Sequence, residues 1–310
     1  MTAIASVTRS TLAASPGRGR RRFKNYLASV LVSLAFAIAL IPLVWLLWTV
    51  VSKGLHAVTQ SGWFTSDLGT RTYTESGGGA LHAIIGTLEE VAICAVISIP
   101  IAVLVAIYLV EYGRGWLAKL TTFMVDILTG VPSIVAALFI YAVFFIHLGA
   151  QFAGVYASIA LVMLMIPVVV RTTEEMLKLV PNELREASYA LGVPKWRTIV
   201  RIVLPTAFTG ITTGVVLGVA RVAGETAPLL VLVKYTPHTN TDPFSGFQAS
   251  LPLMIKDQVN NLGATHNFTG GVAANYAPDR MWGAALTLIA IVMILNLLAR
   301  FVGRFSKISN

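Results

Sequence analysis

The chain has 310 residues, of which 56% are hydrophobic and 12% charged. A soluble domain carries about a quarter charged residues, so this composition excludes a disordered chain and points to a polytopic membrane protein rather than a soluble enzyme. The formal charge of +9 would suggest nucleic acid in a soluble chain. Here the basic residues stand at the ends of apolar runs and report topology instead, so no nucleic-acid partner is expected. The single cysteine, Cys94, supports neither a disulfide framework nor a thiolate metal cluster.

A spanning helix needs roughly 20 mostly apolar residues. Residues 1–25, rich in Arg, Ser and Ala, read as a basic cytoplasmic tail. Its Arg cluster is a stop signal for translocation or, as a second reading, a lipid or protein site. Tyr26 to Ser52 carries no charge and predicts the first span. The apolar core of a cleavable signal peptide is about 7–15 residues, and this run is nearly twice as long, so the helix is expected to be retained. Residues 26–80 thus combine that helix with an outer loop containing the flexible Ser76-Gly77-Gly78-Gly79. Residues 81–304 predict a core of five further spans interrupted by a loop at 172–205, with 305–310 as a second cytoplasmic tail.

Within that core the second span covers about His82 to Leu109 and contains Glu89 and Glu90. No charged residue separates Asp126 from Arg171. That stretch is about 65 Å long as a helix, enough for two crossings, and Gly149 to Gly154 supplies the turn between them. The fifth span runs from about Ala207 to Val233 and the sixth from Met281 to Ala299. Pro100, Pro132, Pro167 and Pro228 fall in or near spans and predict kinks. The expected fold is an all-α integral membrane protein with six transmembrane helices. With the N-terminus inside, 17 of the 23 basic residues lie on cytoplasmic segments and five on outer ones, with Arg221 in the membrane, which places both termini in the cytoplasm. Trp45, Trp48 and Trp282 fit an aromatic belt at the lipid surface. A second outer segment runs from Lys234 to Arg280 and holds the sequon Asn267-Phe268-Thr269, which carries no weight here.

The loop between spans four and five predicts a short helix. Asn182 is placed as its N-cap, and Glu183 and Glu186 complement the helix dipole. Gly192 suits a left-handed residue after the helix end, and Pro194 prevents continuation. Leu184, Ala187, Ser188 and Leu191 share one face. So short a helix has too little core of its own and wants a groove in a partner. The alternative is a helix lying on lipid headgroups, helped by Lys195, Trp196 and Arg197. Pro205 is expected to start span five.

The series Glu186-Ala187-Ser188, Gly192, then nine residues, then Ile202-Val203-Leu204-Pro205 resembles the EAA loop of ABC importer permeases, the MetI-like type. Ser188 stands where that family usually has a second Ala. The resemblance implies that Leu184, Glu186, Ala187, Ser188, Leu191 and Gly192 form a coupling helix that docks on a cytoplasmic ATPase. The chain has no Gly-Lys pair and so no phosphate loop of the G-x-x-x-x-G-K type. The ATPase is therefore expected on another chain, with ATP and Mg bound there and no cofactor on this one.

Span five carries Gly210, Gly214, Gly218, Arg221 and Glu225 at steps of 4, 4, 3 and 4, which predicts one helical stripe. Glycines at this spacing let another helix approach closely. Arg221 lies about 24 Å along the helix from Pro205. A charge in the membrane costs at least about 2.5 kcal/mol and should face a polar cavity or partner. Its planar fork suits a tetrahedral oxyanion, and Glu225 can hold its rotamer. The other reading is a neutralised pair kept for helix packing. Glu89 and Glu90 point about 100° apart, so at most one lines the same path, and Glu90 is taken as that one. Asp126 reads as interfacial, and His82 and His147 as ordinary residues near the outer surface. No metal-binding set and no catalytic nucleophile motif is present, so no catalytic residue is expected.

The run from Ala220 to Leu230 is similar to the corresponding segment of the phosphate-specific ABC permeases, the PstA and PstC kinds. Gly86-Thr87-Leu88, Val131-Pro132-Ser133-Ile134-Val135, Ser250-Leu251-Pro252 and Asn296-Leu297-Leu298-Ala299-Arg300 resemble the PstA kind. The likeness covers roughly residues 80–304. It implies a multi-pass cell-membrane permease for inorganic phosphate with a PstC-type permease, a PstB-type ATPase pair and a PstS-type binding protein as partners. Arg221, Glu225 and Glu90 would line the translocation path. A permease for another oxyanion such as sulfate, or an ATP-independent transporter or channel, stays as an alternative.

Overall fold

The computed structural model describes residues 18–263 and 274–305. The sequon at 267–269 and residues 1–17 and 306–310 of the two tails lie outside the described residues. The chain divides into two compact units, one up to Thr49 and one from Val50 onward. Among the described residues there are helices and connecting segments but no strand.

Helix α1 covers Arg18–Val58. It begins earlier than the apolar run because Arg and Lys are good helix formers and continue the helix beyond it. Helix α2 (Leu81–Ile107) ends in a wide π-type turn at Tyr108–Tyr112. Helix α3 (Gly115–Gly130) and helix α4 (Ser133–Ile140), the latter extended by a π-type turn to His147, meet at an angle of 106°. Pro132 causes the break: it holds the preceding Val131 extended, at ψ 123°, so α3 cannot continue. Among the described residues five helices are long and apolar enough to cross a membrane, or six if the bent pair is one span.

Helix α5 covers Gly154–Lys178, the loop helix α6 Asn182–Ala190, and α7 Lys195–Thr198. A π-type turn at Ile199–Val203 joins α7 to α8 (Leu204–Ala223) without a stop. The fifth span therefore starts at Lys195, behind Pro194, and not at Pro205. Pro205 lacks the N–H that would bond back to the carbonyl of Arg201, and the helix widens there rather than ending. Helix α9 is Ala227–Leu232, α10 is Leu251–Asn260 and α11 is Ala277–Phe305. Pro228 opens α9, while Pro100 and Pro167 lie within unbroken α2 and α5.

In the unit from Val50 onward, α5 sits between α2 and α8, and α11 packs on α8 and α10. The buried residues of α2 include Gly86, Glu90, Cys94, Ser98, Ala102 and Ala106, a row at four-residue spacing. Small side chains in such a row allow the backbones of neighbouring helices to come close, which matters in lipid because apolar burial alone gives helices no reason to associate. Cys94 and Met165 meet across α2 and α5 at 3.7 Å between sulfurs. Gly54 and Gly283 let the end of α1 approach α11: a Cβ on Gly54 would lie 2.5 Å from the carbonyl oxygen of Trp282. Trp63, 1% exposed, donates its Nε1–H to Thr287 Oγ1 at 3.0 Å and closes that end.

At Gly86 an added Cβ would lie 1.8 Å from the carbonyl oxygen of Ala249, a backbone atom that cannot turn aside. Gly86→Ala is expected to destabilise the protein by about 1–3 kcal/mol or more, as overpacking does. Gly130→Ala, which meets nothing within 4 Å, serves as the control. Thermal unfolding of the two detergent-purified variants checks this; equal melting temperatures would contradict the close approach.

Candidate functional site

Two places combine polar chemistry with the apolar scaffold: the loop carrying α6, and the far end of α8. On the loop, Pro181 precedes the first helical residue, so Asn182 lies inside the helix rather than capping it. Its Oδ1 instead accepts from Arg185 Nη1 at 3.3 Å. Gly192 adopts φ +76°, and Val193 N donates to the carbonyl of Ser188 at 3.2 Å while Gly192 N donates to that of Tyr189 at 2.9 Å. A left-handed residue after the helix end explains the glycine.

The expected single face of α6 is divided. Leu184, Glu186, Ala187, Leu191 and Gly192 are exposed, with Leu191 83% exposed. Ser188 departs from the expectation that it meets a partner: it is 3% exposed and shares a hydrogen bond with Thr198 Oγ1 at 2.8 Å. Its hydroxyl ties α6 to α7, because Gly192 folds the two helices back on each other.

The residues that seat α6 are Arg185 and Glu111, neither of which stood out as a site in the sequence. Arg185 Nε donates to Glu111 Oε1 at 3.0 Å, and Nη2 lies 3.0 Å from the same oxygen. Nη1 donates to the carbonyl of Val180 at 2.6 Å and Nη2 to that of Leu177 at 3.0 Å. The two side chains are 12% and 5% exposed. Lys195 Nζ donates to the carbonyl of Glu111 and sits 4.8 Å above the Tyr112 ring. A signal existed in the sequence: Glu111 ends a run without charge from Val91 to Val110, and it is an acid at the border of a segment otherwise dominated by Lys and Arg. Asp126 pairs with Arg171, whose Nη1 reaches Glu174 Oε2 at 2.8 Å.

At the far end of α8 the glycines face α5. A Cβ on Gly210 would meet Met176 Sδ at 2.2 Å, one on Gly214 Thr172 Oγ1 at 2.3 Å, and one on Gly218 Val169 Cγ2 at 3.1 Å. The predicted stripe does not extend to Glu225. The helix ends at Ala223, and Glu225 N bonds to the carbonyl of Val222 in a tight turn. Gly224 weakens the helix there, and Pro228 requires a new start. Arg221 and Glu225 still approach, with Nε 4.0 Å from Oε1. The Arg221 side chain is 59% exposed and that of Glu225 20%. With the helix starting at Lys195 and not at Pro205, Arg221 lies about 39 Å from its start, near its end.

Glu90 departs from its expected place on a path. It is 3% exposed, lies on the inward row of α2, and its Oε1 has no hydrogen-bond partner among the described residues. Its neighbour Glu89 is half-buried and accepts from Gln248 Nε2. Gln248 fills the gap between the glycines that open α2 and α5, touching Gly86 and Gly154. Close by on the loop side, a pocket of about 230 Å³ is lined by Lys234, Tyr235, Lys256 and Asp257 with Leu230, Val233 and Leu253. Burial pushes the Asp257 carboxyl above its ordinary range, against Gln258 and Lys256, which pull it down. Among the described residues no three His, Cys, Asp or Glu side chains gather as a metal set.

This arrangement is that of a membrane-spanning protein with one small exposed helix on a loop and an exposed guanidinium near the far end of α8. A family model described as "Binding-protein-dependent transport system inner membrane component" matches residues 98–307. The chain belongs to that family, the multi-pass membrane permeases of ABC transporters. It is 52% identical over 283 residues to "Phosphate transport system permease protein PstA 1" of Mycobacterium tuberculosis (strain CDC 1551 / Oshkosh), covering 91% of this chain and 90% of that one. It is 40% identical over 283 residues to "Phosphate transport system permease protein PstA" of Yersinia pestis, covering 91% and 90%. Among solved structures, a chain of a bacterial alginate ABC transporter in complex with its periplasmic protein superposes with a TM-score of 0.64 at 14% identity, covering 94% of this chain and 99% of that one. The MetNI methionine transporter gives 0.56 at 18% identity, covering 72% and 93%. At these identities the structural likeness establishes the fold alone.

Within this chain Glu90 is enclosed by packing and not open to a cavity. Glu90→Gln fills the same space and is expected to keep membrane assembly and transport within about twofold of the parent, since isosteric changes cost little. Transport lost with assembly intact would return Glu90 to the path.

Proposed function

We propose that this chain is the membrane permease of an ATP-driven importer of inorganic phosphate. The observation that carries this reading is the likeness to PstA permeases along nine-tenths of the chain, and the exposed Leu184, Glu186 and Leu191 on a firmly seated α6 support it. In this reading the N- and C-termini are cytoplasmic, as the excess of basic residues favours. A PstC-type permease completes the path, a PstB-type ATPase pair receives α6 and holds ATP and Mg, and a PstS-type protein delivers phosphate from outside. This chain hydrolyses nothing. Motion of the ATPases pushes α6, and the spans rock about it.

Arg221 is the phosphate-facing charge. Its guanidinium is the exposed cation at the end of α8, and Glu225 stands at the edge of ion-pair distance, near enough to orient it and too far to neutralise it fully. A planar fork of this kind can donate two parallel hydrogen bonds to a phosphate edge. The second lone pair set of the anion is left to the partner permease and to water, so release is not blocked.

Arg221→Ala is expected to lower phosphate uptake by roughly a hundredfold or more, the scale of losing a positioned ionic contact, while the complex stays assembled. Uptake of labelled phosphate by membrane vesicles measures this, and near-normal uptake would retire the role. Glu186→Lys and Gly192→Val should each abolish co-purification with the ATPase; for Gly192 the cause is the φ of +76°, which valine does not adopt without strain. Retention of the ATPase in both variants would sink the docking assignment. An excess of sulfate that suppresses labelled phosphate uptake would point to a broader oxyanion path.

A further inference from the structure

We infer that the Glu111–Arg185 ion pair is the positioning contact through which displacement of α6 reaches α2. The inference rests on α6 being the surface the ATPase moves.

The chain itself already links α6 to two spans. Leu179, Val180 and Pro181 join it to α5, and α7 runs without a stop into α8. Helix α2 has no such link: Arg185 is 74 positions from Glu111 and Lys195 is 84. Yet α2 is the element with most to transmit. With its terminal turn it covers 32 residues, about 48 Å, and its other end carries Gly86 against Ala249 and Thr87 Oγ1 accepting from Leu251 N. Whatever moves α2 at Glu111 therefore moves the segment that enters α10.

Only two kinds of contact could serve. Apolar packing holds α2 on α5 by fit but imposes no particular direction at the end of α2, because dispersion is non-directional. A guanidinium fork is directional, and here all three of its nitrogens are engaged: Nε donates to Glu111, Nη1 to Val180 and Asn182, and Nη2 to Leu177 while also lying at ion-pair distance from Glu111. The same side chain thus grips the end of α5, the start of α6 and the end of α2. With the carboxylate 5% exposed, water does not compete for the pair. Lys195, held by the Glu111 carbonyl and the Tyr112 ring, gives the far side of the loop the same anchor. Ser188 and Thr198 lock the two halves together, so α6 and α7 act on α2 as one body.

The test uses the whole importer, with its phosphate-binding protein, in proteoliposomes, and reads phosphate uptake and ATP hydrolysis side by side. In Glu111→Ala the backbone bonds of Arg185 remain. Whatever the rate of ATP hydrolysis, phosphate carried per ATP is expected to fall about tenfold or more, the scale of a misplaced working group. Glu111→Gln, which keeps an acceptor, is expected to lie between. Uptake and hydrolysis falling in parallel, or both unchanged, would overturn the inference. So would failure of both variants to assemble, which would make the pair a folding element only. A parent complex that carries no phosphate or hydrolyses no ATP would instead refute the functional reading beneath it.

Discussion

A buried charge must be answered by other buried groups, and Arg185 answers to three elements at once. Leaving one partner of a buried pair alone costs about 3–5 kcal/mol, so the ends of α2 and α5 and the start of α6 are held to a single arrangement. Everything that projects from the loop inherits that arrangement. Leu184 and Leu191 remain exposed because their neighbours are held from behind, not because α6 is loose. A helix of nine residues would be marginal by itself in water. Here its stability comes from side chains that anchor it to the spans.

The spans themselves are held differently. Lipid offers apolar side chains the same surroundings that a helix neighbour does, so association depends on fit. Gly210, Gly214 and Gly218 fit α8 against α5, and the row from Gly86 to Ala106 fits α2 against it. Once those faces are used, Arg221 is left outside the packed seam, with its side chain 59% exposed. Glu90 had the opposite outcome. It occupies one of the inward positions of α2, so the packing that frees Arg221 encloses the carboxyl.

Most of the architecture was readable from residue patterns. Apolar length marked the spans, and the Gly192–Pro194 punctuation marked the end of α6, because these signals are local and depend on few neighbours. The misjudged details share a cause: each turns on which of two local rules prevails in three dimensions. Asn182 is a good cap, but Pro181 already occupied that place. Pro205 can open a helix, but the chain was helical before it and widened instead. Glu225 was in step with the glycines, but Gly224 ended the helix first. The direction Ser188 takes depends on Thr198, ten residues on, and the partner of Arg185 lies 74 residues back. No periodicity in one segment carries that information.

The elbow at Val131–Pro132 bears on how the protein sits in its bilayer. The arm from Ser133 to His147 has 15 residues, fewer than the roughly 20 that partition as a lone crossing. It is also broken from α3 by the 106° bend, and interrupted backbone at membrane depth is tolerated only against protein. Six residues join this arm to α5, so the neighbouring helix supplies at once the apolar length that the arm lacks. The corner thus leaves the arm dependent on its neighbour for its place in the bilayer.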